Sequence, residues 1–143
     1  MAADYAPAYV RTEDIDTLWP WLGSFIRRAF AKAPSLIGAD DLRDLARQNK
    51  ARFWVVSKDG SPVAVAATCE HANATVEIVA LAGTGMGRWL LPALAAFEAM
   101  AKDAGMARIA VCGRRGWERR LAPLGYVVRD HDEDGLALME KAL

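Results

Sequence analysis

The sequence predicts an α/β chain of the mixed, α+β kind, built on a central mixed sheet of about six to seven strands. Three observations carry this. Three β-rich runs between Arg52 and Leu81 are separated only by turn signals, which makes an antiparallel meander. The third run ends in Gly83, Gly85 and Gly87 and passes at once into a long apolar-faced segment, Trp89 to Ala104. A further apolar run, Arg108 to Cys112, follows that segment. A strand returning through a helix pairs in parallel by a right-handed crossover.

Each element has its own reason. Pro7 to Arg11 is a short extended segment. Thr12 is placed to cap a helix running through Phe30, with Leu18, Trp21, Phe25 and Ile26 near helical spacing. Pro20 makes that helix begin late or kink, and Pro34 and Gly38 break the chain. Asp40 is placed to cap a second helix through Gln48, with Leu42 and Leu45 as its apolar side. Arg52 to Lys58 is a strand, Asp59-Gly60 a hairpin turn, Val63 to Cys69 the return strand, Ala72 to Ala74 a second turn and Thr75 to Leu81 the third strand. In the long helix, Leu90, Ala93, Leu94, Phe97, Met100, Ala101 and Ala104 keep a 3.6-residue period. Pro92 fits its first turn best, which sets the start near Arg88 to Leu91, and Gly105 stops it. Trp117 to Leu124 reads as a short helix closed by Gly125. Tyr126 to Asp130 and Leu136 to Lys141 are the last strands, around the polar turn His131 to Gly135. The order is β-α-α-β-β-β-α-β-α-β-β.

Composition sets the outer limits. The chain has 143 residues, read as one domain over 1–143, and 53% hydrophobic residues, ample for a core. The 18 basic and 18 acidic side chains cancel, which argues against a general affinity for nucleic acid. Arg114, Arg115, Arg119 and Arg120 form a local patch, either a solvated face or a contact for a phosphate or an acidic partner. Cys69 and Cys112 sit in separate strand-like runs and read as buried thiols in a reducing compartment. Neither has metal-ligand spacing to a histidine, so no metal is expected. Residues 1–10 lack the pattern of a secretory signal, and no apolar run reaches the roughly 18 residues that span a bilayer. The expectation is a cytoplasmic or particle-associated protein with no membrane partner.

The strand–glycine–helix junction carries the chemistry. It aims several backbone N–H groups at one spot, adds the positive end of the helix dipole and removes the Cβ atoms that would hold an anion away. Such a place suits a phosphate or pyrophosphate. It also serves as a plain tight turn, and the sequence alone leaves both open. Glu77 lies inside the apolar third strand. A carboxylate there either takes a proton from an amine through a water or simply faces solvent by alternation.

The element order, together with Phe53-Trp-Val-Val, Val63-Ala-Val-Ala, Glu77-Ile-Val-Ala-Leu and Leu121-Ala-Pro-Leu-Gly-Tyr126, resembles the GCN5-related N-acetyltransferase (GNAT) superfamily over nearly the whole chain. Gly113-Arg-Arg-Gly-Trp-Glu-Arg-Arg-Leu resembles a divergent branch found in phage and prophage-like gene sets. The resemblance implies a three-layer fold with helices on both sheet faces and acetyl-CoA as co-substrate. It implies a fourth strand that splays from the fifth, with pantetheine in the gap against Val79, Ala80 and Leu81. Pyrophosphate would lie on the backbone of Gly83, Thr84, Gly85, Met86, Gly87 and Arg88. Glu77 would be the general base, and a backbone N–H near Leu81 would hold the oxyanion. Two positions depart from the pattern: Ala82 stands where Arg or Gln is usual, and Leu121 where many members carry a proton-donating tyrosine. Cys112, Tyr126 or a water is left as a replacement acid.

Other residues read more plainly. Cys112 is an inert thiol before it is a nucleophile. His71 and His131 are surface turn residues. Trp117 packs the late helix or lines the thioester channel. Trp19, Trp21, Phe25 and Phe30 are core, with one of them bordering the acceptor. Two function classes follow. The first is an N-acetyltransferase acting on a small-molecule or peptide amine in a ternary complex. The second is a catalytically degenerate structural or interaction protein of a phage-like or gene-transfer particle. A homodimer and a particle component are both open.

Overall fold

The computed structural model describes residues 5–32, 38–114, 116–131 and 136–143. Seven strands form one sheet: β1 (Tyr5–Tyr9), β2 (Arg52–Lys58), β3 (Ser61–His71), β4 (Thr75–Gly83), β5 (Arg108–Arg114), β6 (Val127–His131) and β7 (Leu136–Ala142). Their spatial order is β1-β2-β3-β4-β5-β7-β6. Among the described residues only β4 and β5 pair in parallel, joined through the long helix; every other neighbour is antiparallel. The expected meander and crossover are present, and the opening extended segment is an edge strand on β2.

Alternation divides the sheet into two apolar faces. Val56, Ala64, Ala66, Ile78 and Leu81 meet helices α3 (Met86–Asp103) and α4 (Trp117–Leu121) through Trp89, Leu90, Leu94, Phe97, Trp117 and Leu121. Phe53, Val65, Ala67 and Ala80 meet α1 (Ile15–Lys32) and α2 (Ala39–Arg47) through Trp19, Leu22, Ile26, Leu42 and Ala46. Helices cover both faces. On the outside, Asp16 of α1 accepts hydrogen bonds from Arg47 and Arg43 of α2, which hold its carboxyl below the usual carboxylate range.

Several local expectations are corrected. Thr12 does not cap α1. It opens a 3-10 turn over Thr12–Asp14, and its hydroxyl donates to Asn49 Oδ1 at 2.8 Å. Asp40 does not cap α2 either: Gly38 is the capping residue, and Asp41 reaches back to accept its N–H at 2.9 Å. Pro20 neither delays α1 nor breaks it. Its exposed position lets water take the carbonyl that the missing N–H leaves free. The same holds for Pro92, which is the seventh residue of α3 rather than part of its first turn, because α3 starts at Met86. The short late helix ends at Leu121 and is continued by a 3-10 turn, Ala122–Leu124, with Gly125 at φ +97° closing it as expected. Most of the turn after His131, residues 132–135, lies outside the described residues, as does Pro34.

Candidate functional site

The site is built where β4 changes partners. Pairing with β5 runs from Thr75↔Arg108 to Ile78↔Val111 and stops there. Beyond that point β4 stays on β3 as far as Gly83↔Ala64, while β5 stays on β7 as far as Arg114↔Leu136. The sheet is therefore forked. Val79 to Gly83 form one wall, with no strand on their β5 side among the described residues, over five residues or about 16 Å. A bulge marks the start of the fork. Ala67 pairs with Ala80 and Thr68 with Ile78, so Val79 is an extra residue on β4. A bulge bends its strand and adds local twist, which turns the upper half of β4 away from β5.

The three glycines above the fork do different work. Gly83 is a strand residue, and a Cβ there would stand 2.4 Å from the Val63 carbonyl oxygen and 2.8 Å from Ala64 Cβ. Close approach to β3 accounts for it. Gly85 has φ +72° and is the capping residue of α3. A Cβ on Gly85 or Gly87 would meet nothing within 4 Å, so open space faces both. The loop's carbonyls turn inward: that of Thr84 accepts Trp89 Nε1–H at 2.8 Å, and that of Gly85 accepts Arg88 N–H at 2.9 Å. Among the described residues nothing accepts the N–H of Gly85 or Gly87. These belong to the donors that a helix leaves unpaired at its start. The first turn of α3 holds no carboxylate, and exposed Arg88 has no ion-pair partner among the described residues. The head of α3 is an electropositive, donor-rich surface at the mouth of the fork. Buried Trp89, which fixes the loop, was missed in the sequence, where it reads as one more apolar helix residue.

Glu77 lies just below the fork on the α1 face, opposite Cys69 on β3 and Ala110 on β5. Its side chain is 24% exposed, and its Oε1 is 3.1 Å from His71 Nε2. The hairpin thus brings His71, read as a turn residue, against Glu77. The signal for it lay in the hairpin: a turn over 72–74 pairs His71 with Thr75, and same-face diagonal neighbours then bring His71 beside Glu77. A depression of ≈ 380 Å³ opens over this pair, floored by Ala110, Leu138 and Glu140. Glu140 stands two strands across from Glu77 in the same row and is ion-paired to Arg129 at 3.5 Å. Cys69 is half-buried, and burial first, then the Glu77 charge, pushes its thiol up, which keeps it protonated and unreactive. Cys112, also half-buried and outside any disulfide, is the first β5 residue above the fork.

The replacement acids fare differently. Leu121, the last residue of α4, is fully buried in the core. Tyr126 is buried and its hydroxyl donates to Glu98 Oε1 at 3.0 Å, with Lys141 Nζ 2.8 Å from the same oxygen. Glu98 lies twelve residues into α3, about 18 Å from its head. Burial, then the Glu98 charge, push the Tyr126 phenol far above its ordinary range. The Tyr126 hydroxyl proton is therefore committed to Glu98. Trp117 packs on β5 so tightly that a Cβ on Gly113 would stand 2.4 Å from its ring. In the arginine patch, Arg119 and Arg120 are exposed; Arg115 and the side chain of Arg114 lie outside the described residues. His131 is held by Glu118 at 2.6 Å. Trp19 is core as expected, whereas Trp21 is 38% exposed. Among the described residues no helix is long and apolar enough to cross a membrane, and no cluster of His, Cys, Asp or Glu could hold a metal ion.

No family model matches the chain, and no curated protein sequence does. Solved structures do. The PaiA N-acetyltransferase of Thermoplasma acidophilum, solved with coenzyme A, aligns over 98% of this chain and 99% of its own at 17% identity, with a TM-score of 0.63. A GCN5-related N-acetyltransferase from Rhodopseudomonas palustris covers 100% and 99% at 19% identity, TM-score 0.65. AAC(6')-Ib, solved with ribostamycin and coenzyme A, covers 97% and 93% at 15% identity, TM-score 0.65. The likeness, end to end, is one of fold: a GNAT-like mixed sheet with helices on both faces.

Proposed function

We propose that this chain is an N-acetyltransferase that moves an acetyl group from acetyl-CoA to a primary amine by direct attack in a ternary complex. The observation that carries the reading is the fork above Ile78↔Val111, lying beside the unpaired amides at the head of α3. That solved structures of this fold include acetyltransferases holding coenzyme A supports it. Acetyl-CoA supplies a thioester carbonyl open to amine attack and a thiolate that leaves. The backbone of Val79, Ala80 and Leu81 lines the pantetheine arm, with an N–H near Leu81 directed at the carbonyl oxygen. Thr84, Gly85, Met86, Gly87 and Arg88 hold the pyrophosphate, and Gly83 keeps the strand seated so that they can. Glu77 takes the amine proton through a water, with its Oε1 fixed by His71 and its second oxygen left for the water. The Glu77 carboxylate on this floor, with Glu140 already paired to Arg129, suits a cationic acceptor, either a small molecule or a peptide amine.

The test is acetyl-CoA titration followed by turnover on a panel of polyamines, aminoglycosides and peptide N-termini. Saturable binding with thiol release is expected. Glu77→Gln should lower kcat about 100-fold and leave the acetyl-CoA affinity unchanged. An unchanged melting temperature in millimolar acetyl-CoA would refute the proposal, since selective binding to the folded state must raise it. The burial of Leu121 and the engagement of the Tyr126 hydroxyl by Glu98 favour a second reading, a GNAT-fold protein that binds without chemistry as part of a particle. Acetyl-CoA binding with no turnover on any amine, together with co-purification with a particle, would select it.

A further inference from the structure

On the sheet face away from Glu77, below the fork, α3 does not close onto the strands. A cavity of ≈ 240 Å³ lies between its C-terminal half and β2, β3, β4 and β5. Trp54, Ile78, Phe97, Met100 and Ile109 make it apolar, and Arg52 and Glu70 stand at its rim, ion-paired at 3.3 Å. The cause of the void is local. α3 presents only alanine at 101, and Ala104 follows just past its end, where the sheet lies opposite; Trp54 is held edge-on against Phe97 at 90° instead of filling the gap. For scale, an engineered apolar cavity of about 150 Å³ stays dry and takes up benzene.

One polar group inside is half used. Thr68 lines the cavity, is 4% exposed, and its Oγ1 accepts Trp54 Nε1–H at 2.9 Å. Among the described residues no acceptor takes the Thr68 hydroxyl proton. A buried hydroxyl that accepts but does not donate has its second hydrogen bond unmade.

We propose that this cavity is a second ligand site, for a small uncharged aromatic molecule bearing a single hydrogen-bond acceptor, such as an aryl ketone. The ring fills the space among Trp54, Phe97 and Met100, and the acceptor takes the Thr68 proton. A charged ligand is disfavoured, because Arg52 and Glu70 neutralise each other at the rim and nothing charged lines the interior. The site does not rest on acetyl transfer. It opens on the α3 face, whereas Glu77 and its depression are on the α1 face.

Acetophenone is the probe, read by the Trp54 indole N–H resonance, one of five in the chain. Saturable movement of that resonance is expected, with a Kd on the order of 0.1–1 mM for a ligand of this size. Ethylbenzene, alike in shape but without the acceptor, should bind about fivefold more weakly, one hydrogen bond's difference. Ala101→Leu fills the cavity and should weaken binding at least tenfold. Ala104→Leu, at the exposed mouth, should do so with folding unaffected. The proposal is overturned if the Trp54 resonance does not move in millimolar acetophenone. It is also overturned if ethylbenzene binds as well as acetophenone, or if the folded Ala104→Leu protein binds both unchanged. Each result can be read whether or not acetyl-CoA binds.

Discussion

Gly83 and Gly87 stand four residues apart in one glycine-rich stretch, yet their surroundings are opposite. Gly83 is pressed against β3, with the Val63 carbonyl in the place a side chain would take, while Gly87 faces open space at the head of α3. Gly85 between them is neither crowded nor backed; it is required for its left-handed backbone, and its amide, like that of Gly87, has no acceptor among the described residues. The motif is thus three separate requirements: close packing, a φ that L side chains avoid, and an accessible amide. Only the last belongs to anion binding. A glycine pattern therefore reports function only after its packing glycines have been set aside.

Substitutions separate these roles. Gly83→Ala should do most harm, because its methyl group meets backbone that cannot move alone: about 3 kcal/mol lost, or roughly 6–12 °C in Tm by differential scanning calorimetry. A change below about 1 kcal/mol would move Gly83 from the packing class to the open one. Gly113→Ala should cost about 2 kcal/mol, since the Trp117 ring, 2.4 Å from the added atom, has some freedom to shift. Near-ultraviolet circular dichroism should show that shift as an altered tryptophan signal. Gly85→Ala should cost about 1 kcal/mol through its φ of +72° alone, measured by urea unfolding. Gly87→Ala should leave stability within about 0.5 kcal/mol of the parent or raise it, because alanine favours a helix. Its methyl enters the space facing the amides, so coenzyme A titration should show about tenfold weaker binding. Unaltered coenzyme A affinity in Gly87→Ala would remove this position from the pyrophosphate contacts.

The parts of the fold that were legible are those written in local chemistry. Asp59-Gly60 and Ala72 to Ala74 announced the meander, and the strand–glycine–helix junction announced the β4–α3 connection. Helix starts were less legible: a proline or a capping residue shows that a start is near, while tertiary packing and solvent access decide where it falls. Pro92 illustrates this, since its solvent-facing place removes the reason to confine it to a first turn. In the site, Glu77 was visible as a charge in an apolar run, but His71 depends on hairpin register and Trp89 on a hydrogen bond to the loop it follows. The fork was expected only by resemblance. Its physical cause, the extra residue at Val79, becomes visible only when both strands are paired. The α3 cavity had no sequence signal, because Ala101 and Ala104 look like ordinary helix residues until the sheet opposite them is placed.

The bulge at Val79 has a consequence for how this chain tolerates change. By making two neighbours, Val79 and Ala80, point to one face, it resets which side every later β4 residue occupies; Leu81 reaches the α3 core only because of that reset. Substituting Val79 alters a side chain, whereas removing it would leave Ala80 and Leu81 on their present faces by plain alternation and straighten the strand back along its parallel neighbour. Sequence length at this point, more than residue identity, keeps the crevice from healing.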